Sequence, residues 1–385
     1  MKKIYLDYAA TTPVDPQVAK TMSPYFTKKF ANPASLYTLG LDAKEALEKS
    51  RISIAEKINA QPEEIIFTGS ATESNNLALK GFCLANKNRG NHIIISALEH
   101  DCVLASAAWL EKQGFKTTFI NPEKNGVINP AKIESAIRHE TILVSVMAVN
   151  NEIGIIQPIA EIGKICRDKN ICFHTDAAQA FGKIPLDVKA ANIDLMTLSS
   201  HKIYGPKGVG CLFIRKGVKI EPILHGGGQE FGLRSGTVNV AGIVGFAKAA
   251  EIAIENMGSE KQRITALSNK LIDGIKGTIS DVELNGAPLL KVPNIVNLRF
   301  ARIEGESLLV RLDIAGAEIS TGSACSSPKL KPSHVLLGCG LPPEQAHGSI
   351  RFSIGRFTTE EEIDKVLTVL PGIVESLRKI SPLKN

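Results

Sequence analysis

Nowhere in the 385 residues is there a run approaching the roughly 20 apolar positions a membrane helix needs, so no helical span is expected. Nor is there a dense basic run, or a basic patch interleaved with aromatics. The 45 basic and 39 acidic residues are spread along the chain with a balance of only +6, and nucleic-acid binding is not expected. Cysteine is scarce and odd in number. Cys83, Cys102, Cys166, Cys172, Cys211, Cys325 and Cys339 are scattered, which argues for reduced thiols in a cytoplasm rather than a disulfide framework. The start, Met1-Lys2-Lys3, reaches Asp7 almost at once, so no secretory leader is read. Internal repeats and low-complexity linkers are lacking as well. What is plentiful is ordinary core material. Hydrophobic residues make up 44% of a chain longer than one compact core, so two domains are expected.

From about Glu64 to Ile214, short β-rich runs alternate with helical patterns. The runs are 65–68, 93–96, 117–120, 142–147, 172–176, 195–199 and 211–214, with helix-like segments at 103–113, 131–138 and 159–169. Continuous apolar strands alternating with helices indicate an α/β fold with a mostly parallel sheet covered on both faces. Functional residues are then expected at the carboxyl ends of the strands. After Gly236 the pattern turns helical, over 238–256 and 261–277. A smaller α+β unit follows, with strands near 282–284, 295–300 and 349–354. Its last helix opens at Thr359 and Glu362, which have the spacing of a capping box. The expected division is a large domain over 13–258 and a small one from 1–12 and 259–385.

The segment Ser199-Ser200-His201-Lys202-Ile203-Tyr204-Gly205 closes an apolar run and opens a Gly/Pro loop. Lysine is the common side chain that forms an imine with an aldehyde cofactor, provided its amine is held in a partly desolvated site. Upstream, Phe173-His174-Thr175-Asp176 puts an acid at the end of another apolar run, where a pyridinium nitrogen would need one. Lysine and acid together suggest pyridoxal phosphate. Gly69-Ser70-Ala71-Thr72 lies between a strand and a helical run, where small residues let backbone amides reach a phosphate. His100 and the turn Asn150-Asn151-Glu152 follow other strand ends; a solvated loop histidine and a plain Asn/Gly turn are the alternatives.

Of two cysteine–histidine groupings, Cys166/Cys172/His174 falls on an expected helix and strand and reads as core packing, while Cys325/His334/Cys339/His347 lacks a paired-cysteine knuckle, and no metal is expected. The loop Ser320 to Pro328 is small, polar and flexible in composition, and a thiol carried there, Cys325, suits nucleophilic attack followed by delivery. On the alternating strand Ser349 to Arg356, an arginine fork at 351 or 356 matches a carboxylate, or either one serves a structural ion pair.

These segments, taken in order with Tyr5 to Thr12, Asn32-Pro33-Ala34-Ser35 and Arg234-Ser235-Gly236-Thr237, resemble the cysteine desulfurases of the NifS/IscS-like group. That group lies within the class-V aminotransferase family of fold-type I pyridoxal-phosphate enzymes. The resemblance implies a seven-stranded large domain, a small domain carrying the cysteine loop, and pyridoxal 5'-phosphate as cofactor. It implies Lys202 as the imine-forming lysine, Asp176 at the pyridinium nitrogen, and His100 stacked on the ring and moving protons. Gln179 and Asn151 would lie near the phenolic oxygen, and Ala71, Thr72, Ser199 and His201 would hold the phosphate. Thr237 would reach the phosphate of a neighbouring subunit, which implies a homodimer with shared active sites. Arg351, with Asn151, would bind L-cysteine, and Cys325 would carry a persulfide to acceptors such as an iron–sulfur scaffold. L-Alanine would be the other product. Tyr37 stands where many relatives have histidine, and the end at Asn385 is expected to lack a longer scaffold-docking tail. An aminotransferase would need the same lysine and acid but not Cys325. A sulfur carrier or assembly scaffold that had lost catalysis is the third reading, and the intact set of Lys202, Asp176 and His100 counts against it.

Overall fold

A computed structural model of the chain describes residues 3–322 and 332–382. Seven strands form the main sheet: β2 (Ile65–Thr68), β3 (His92–Ser96), β4 (Lys116–Ile120), β5 (Thr141–Ser145), β6 (Cys172–Asp176), β7 (Leu195–Ser199) and β8 (Gly210–Ile214). Their order is β2-β8-β7-β6-β5-β3-β4. The β7–β8 and β2–β8 pairs are antiparallel and the remaining pairs parallel, so only β8 runs against the rest. Each strand lies within two residues of its sequence-read run, because runs rich in Ile, Val, Thr and Phe fit a pleated, doubly covered surface. β5, β6, β7 and β8 are buried along their whole length. Successive residues feed opposite faces. Leu195 joins a core with Phe82, Ile93 and Leu110, while Met196 joins one with Phe173, Phe181 and Phe246.

A second, smaller core lies over the antiparallel sheet β12-β10-β9, formed by β9 (Val282–Leu284), β10 (Ile295–Phe300) and β12 (Ser349–Ser353). The helices Met257–Thr278, Gly305–Ile314 and Glu360–Ile380 send Leu271, Leu308 and Leu370 into it. The last of them starts with the capping box read from the sequence: Thr359 accepts from Glu362 N, and Glu362 answers on Thr359 N. The chain's first strand belongs here too. β1 (Ile4–Tyr5) pairs in parallel with β11 (Ala317–Glu318), and Ile4 and Leu6 sit in the small core.

Because β2, β3, β5, β6 and β7 share a direction, their carboxyl ends gather along one edge of the sheet. The first turn of β8 opens at the same edge, where Gly210 pairs with both Thr68 and Ser199. Glycine is required at that crossing. A Cβ there would sit 2.7 Å from the Ser70 carbonyl carbon and 3.0 Å from Ala71 N. The turn after β2 can therefore lie flat against the end of β7.

Candidate active site

The edge encloses a cavity of about 220 Å³. Ser70, Ala71 and Thr72 line it from the turn after β2, His100 and Cys102 from the turn after β3, and Asp176, Ala178 and Gln179 from the turn after β6. Ser199, His201 and Lys202 line it from the end of β7, and Asn151 and Arg351 complete the wall. Two expected residues are not among them. Thr237 is exposed and lies outside the lining, and Cys325 lies outside the described residues.

Local rules fix each group. Ser70 caps the helix Ala71–Asn76 by accepting from Glu73 N at 3.1 Å, and Glu73 reaches back to Gly69 N at 2.9 Å. Arg234 then holds Glu73 from outside at 2.7 Å. At the end of β6, Asp176 accepts from Ala178 N at 2.9 Å and from Asn75 Nδ2 at 2.6 Å, so its carboxylate is held in one orientation. Lys202 follows β7 in a short 3-10 turn, and its Nζ donates to the carbonyls of Ala9 and Ala10 at 2.6 and 2.7 Å.

His100 is the N-cap of the helix Asp101–Lys112. Its Nδ1 accepts from Cys102 N at 3.2 Å and lies 3.1 Å from Cys102 Sγ. A backbone N–H can only donate, so the neutral ring carries its proton on Nε2. Beside it, burial holds the carboxyl of Glu99 well above the usual carboxylate range, with the charge of Asp176 adding to the effect and the Met147 N–H opposing it. His201 goes the other way. Burial, then the charges of Lys202, Lys207 and Lys183, pull it down to about 4, so it is neutral near pH 7 and meets Thr11 Oγ1 at 3.0 Å.

The two arginines of the β12 segment differ in where they lie. Arg356 is outside this cavity's lining: it pairs with Asp15 at 2.8 Å and Glu260 at 2.5 Å, lies 4.3 Å from the Tyr204 ring centroid, and leaves a buried Nη2 without a partner among the described residues. Arg351 donates to Asn151 O at 2.9 Å and Asp7 Oδ1 at 2.8 Å, yet its buried Nε has no partner among the described residues. Ser199 Oγ is likewise buried and unpartnered among them. Unsatisfied buried donors carry a cost, and at a cavity wall they mark where a ligand's oxygens go.

The description "Aminotransferase class-V" matches residues 4–366 of this sequence. The chain belongs to the class-V aminotransferase family. It is 51% identical to "Cysteine desulfurase IscS" of Clostridium botulinum (strain Hall) over 384 residues, covering 99% of this chain and 97% of that protein. Among solved structures it resembles a "NIFS-LIKE PROTEIN" with a TM-score of 0.92 at 37% identity, covering 97% of this chain and 100% of that one. It also resembles "SspA in complex with cysteine" with a TM-score of 0.83 at 36% identity, covering 92% of this chain and 100% of that one. The α/β reading with a mostly parallel seven-stranded sheet therefore holds at the level of family and fold.

Sequence reasoning missed part of the wall. Ala9 and Ala10 contribute carbonyls, which no side-chain pattern reveals. Cys102 falls just before the helix-like segment 103–113 and Met147 at the end of the strand run 142–147, and neither stands out by pattern; they line the cavity because β3 and β5 end beside each other.

Proposed function

We propose that the protein is a cysteine desulfurase that uses pyridoxal 5'-phosphate to take sulfur from L-cysteine, leaving L-alanine and a persulfide on Cys325. One observation carries the reading: a single cavity joins a lysine amine, a fixed carboxylate and an arginine with an unused N–H. The donor set suits the cofactor. Lys202 would hold its aldehyde carbon, Asp176 its pyridinium nitrogen, and His100 the ring face. Asn151 and Gln179 would lie by the phenolic oxygen. Ala71, Thr72, His201 and the orphaned hydroxyl of Ser199 would take the phosphate. When bound, the cofactor supplies an electron sink for bonds at the substrate's Cα and Cβ.

The chain's own groups do the rest. The fork of Arg351 is held by Asn151 O and Asp7, which leaves Nε for a substrate carboxylate. The amine of Lys202, steadied by two carbonyls, moves the proton at Cα. His100, protonated on Nε2, presents a donor rather than a base. Overall, the Cβ–S bond of L-cysteine is exchanged for an S–S bond on Cys325. The proton given up by the Cys325 thiol ends on Cβ, the one at Cα is restored, and the carbon skeleton leaves as L-alanine, so atoms and electrons balance without an outside oxidant.

The proposed large domain spans 13–258, and the small domain, from 1–12 and 259–385, carries the cysteine loop. Thr237, exposed in one chain, would complete the phosphate site of a second copy, making the working unit a homodimer. The persulfide would pass to sulfur-acceptor proteins such as an iron–sulfur scaffold, in the cytoplasm. Among the described residues no helix is long and apolar enough to cross a membrane.

The test gives the purified holoenzyme L-cysteine and a reductant, then measures sulfide, alanine and the mass of the peptide carrying Cys325. Alanine and one added sulfur on that peptide are expected, with both lost in Cys325→Ser while the cofactor stays bound. A keto acid in place of alanine, or sulfide release by Cys325→Ser at near the unaltered rate, overturns the reading.

A further inference from the structure

We propose that Lys183 is a positioning residue of this site, locking the amide of Gln179 so that its N–H donors face away from Lys183 and serve the cavity. The inference rests on the reading above, in which Gln179 lies by the cofactor's phenolic oxygen.

The end of a glutamine side chain is ambiguous. Its carbonyl and amino groups have nearly the same shape, and a half-turn about the last bond exchanges two donors for an acceptor. At a phenolic oxygen the difference matters, because a donor stabilises the anion and an acceptor repels it. Gln179 is buried and lines the cavity. Its Oε1 accepts from Lys183 Nζ at 2.6 Å, and its Nε2 donates to Ala9 O at 2.8 Å. Flipping the amide would set donor against donor at Lys183 and acceptor against acceptor at Ala9. Only one orientation satisfies both neighbours. It leaves the second N–H of Nε2 for a ligand.

The placement of Lys183 is built for this contact. Gly182, at φ +72°, turns the chain so that Lys183 folds back onto Gln179, four residues earlier. The same Ala9 carbonyl accepts from Lys202 Nζ, so Lys183, Gln179 and Lys202 form one connected set. Holding a lysine there is costly. Burial, aided by the charges of Lys202 and Arg351, pulls its amine down to about 7. A methionine would fill similar space without that cost; what it lacks is the donor. Both the ammonium and the neutral amine can donate to Oε1, so the lock works on either side of that value.

The experiment uses the holoenzyme and reads the pH midpoint of the bound cofactor's visible absorption band, independently of turnover. Lys183→Met is expected to raise the midpoint by about half a unit or more, because the phenolate loses its assured donor. Lys183→Arg, which keeps a donor, should bring the midpoint back toward the unaltered value. Gln179→Leu should raise it alone, and adding Lys183→Met to Gln179→Leu should move it no further. Where Lys183→Met gives no soluble holoenzyme, Lys183→Leu carries the same expectation. An unmoved midpoint in Lys183→Met, or in Lys183→Leu where that variant replaces it, overturns the proposal. So does an equal shift with and without Gln179, which would mean that Lys183 acts through its charge. If the unaltered protein binds pyridoxal phosphate without any visible band, the cofactor reading itself fails, and this inference with it.

Discussion

Two arginines, each only 2% exposed, organise two regions of this molecule in opposite ways. Arg51 lies behind the outer strand β2 and is saturated. It donates to Ile65 O at 2.6 Å, to both oxygens of Glu230 at 2.8 Å, and to Glu48 at 3.2 Å. Glu230 is matched in turn by Phe67 N at 2.7 Å, and the rings of Phe67 and Phe231 lie about the guanidinium at 5.0 and 5.1 Å. Arg351, at the cavity, has its two Nη groups engaged and its Nε left over among the described residues. Arg51 closes all its bonds within the chain, as a guanidinium that serves the fold does. Arg356 leaves a buried Nη2 over outside the cavity's lining, so what sets Arg351 apart is a spare donor together with a place in that lining. An unsatisfied buried donor is a stability cost, and in the proposed function a substrate carboxylate would offset it.

The contrast is most easily broken at Arg51. Arg51→Met leaves Glu230 buried without its partner and should cost about 3–5 kcal/mol of unfolding free energy in urea. The molecules that stay folded should hold cofactor as before. A loss under about 1 kcal/mol would dissolve the distinction, since cost then would not follow saturation. Arg351→Lys sharpens it from the other side. The charge is kept but the fork is lost, so the KM for L-cysteine should rise by about 10–100-fold while stability falls far less than at Arg51. Unaltered steady-state kinetics in Arg351→Lys would leave the orphaned Nε without a role. The smallest effect sets the baseline. Thr359→Ala removes one arm of an exposed capping box and should lower stability by about 1 kcal/mol by calorimetry, with kinetics unchanged.

The saturated region was the harder of the two to read from sequence. Nothing in the helix Thr38–Glu56, where charged and apolar residues mix without a strong stripe, announced that Arg51 would meet Glu230, 179 positions away. The cavity was more legible, because chemistry there sits at strand ends and strand ends follow from β-branched runs. Lys202, Asp176 and His100 were found that way. What stayed hidden was whatever depends on distant backbone, above all the carbonyls of Ala9 and Ala10. The two-residue ladder of Ile4–Tyr5 with Ala317–Glu318 carries too little pattern to be seen in advance. Arg351 and Arg356 look alike in sequence; only their acidic neighbours, Asp7 against Asp15 and Glu260, tell them apart.

The docking of the amino-terminal segment also fixes a schedule. Ala9 holds Lys202 through its carbonyl and is itself held by Ser353 Oγ, 344 positions further on. At synthesis rates of about 5–20 residues per second, Ala9 leaves the ribosome roughly tens of seconds before the residue that anchors it. Gln179 Nε2 and the Thr12–His201 contact hold the same segment from the side of the large sheet, so until Ser353 emerges the lysine's seat is fastened from one side only. The second fastening, on the Ala9 N–H, is added when nearly all of the protein exists.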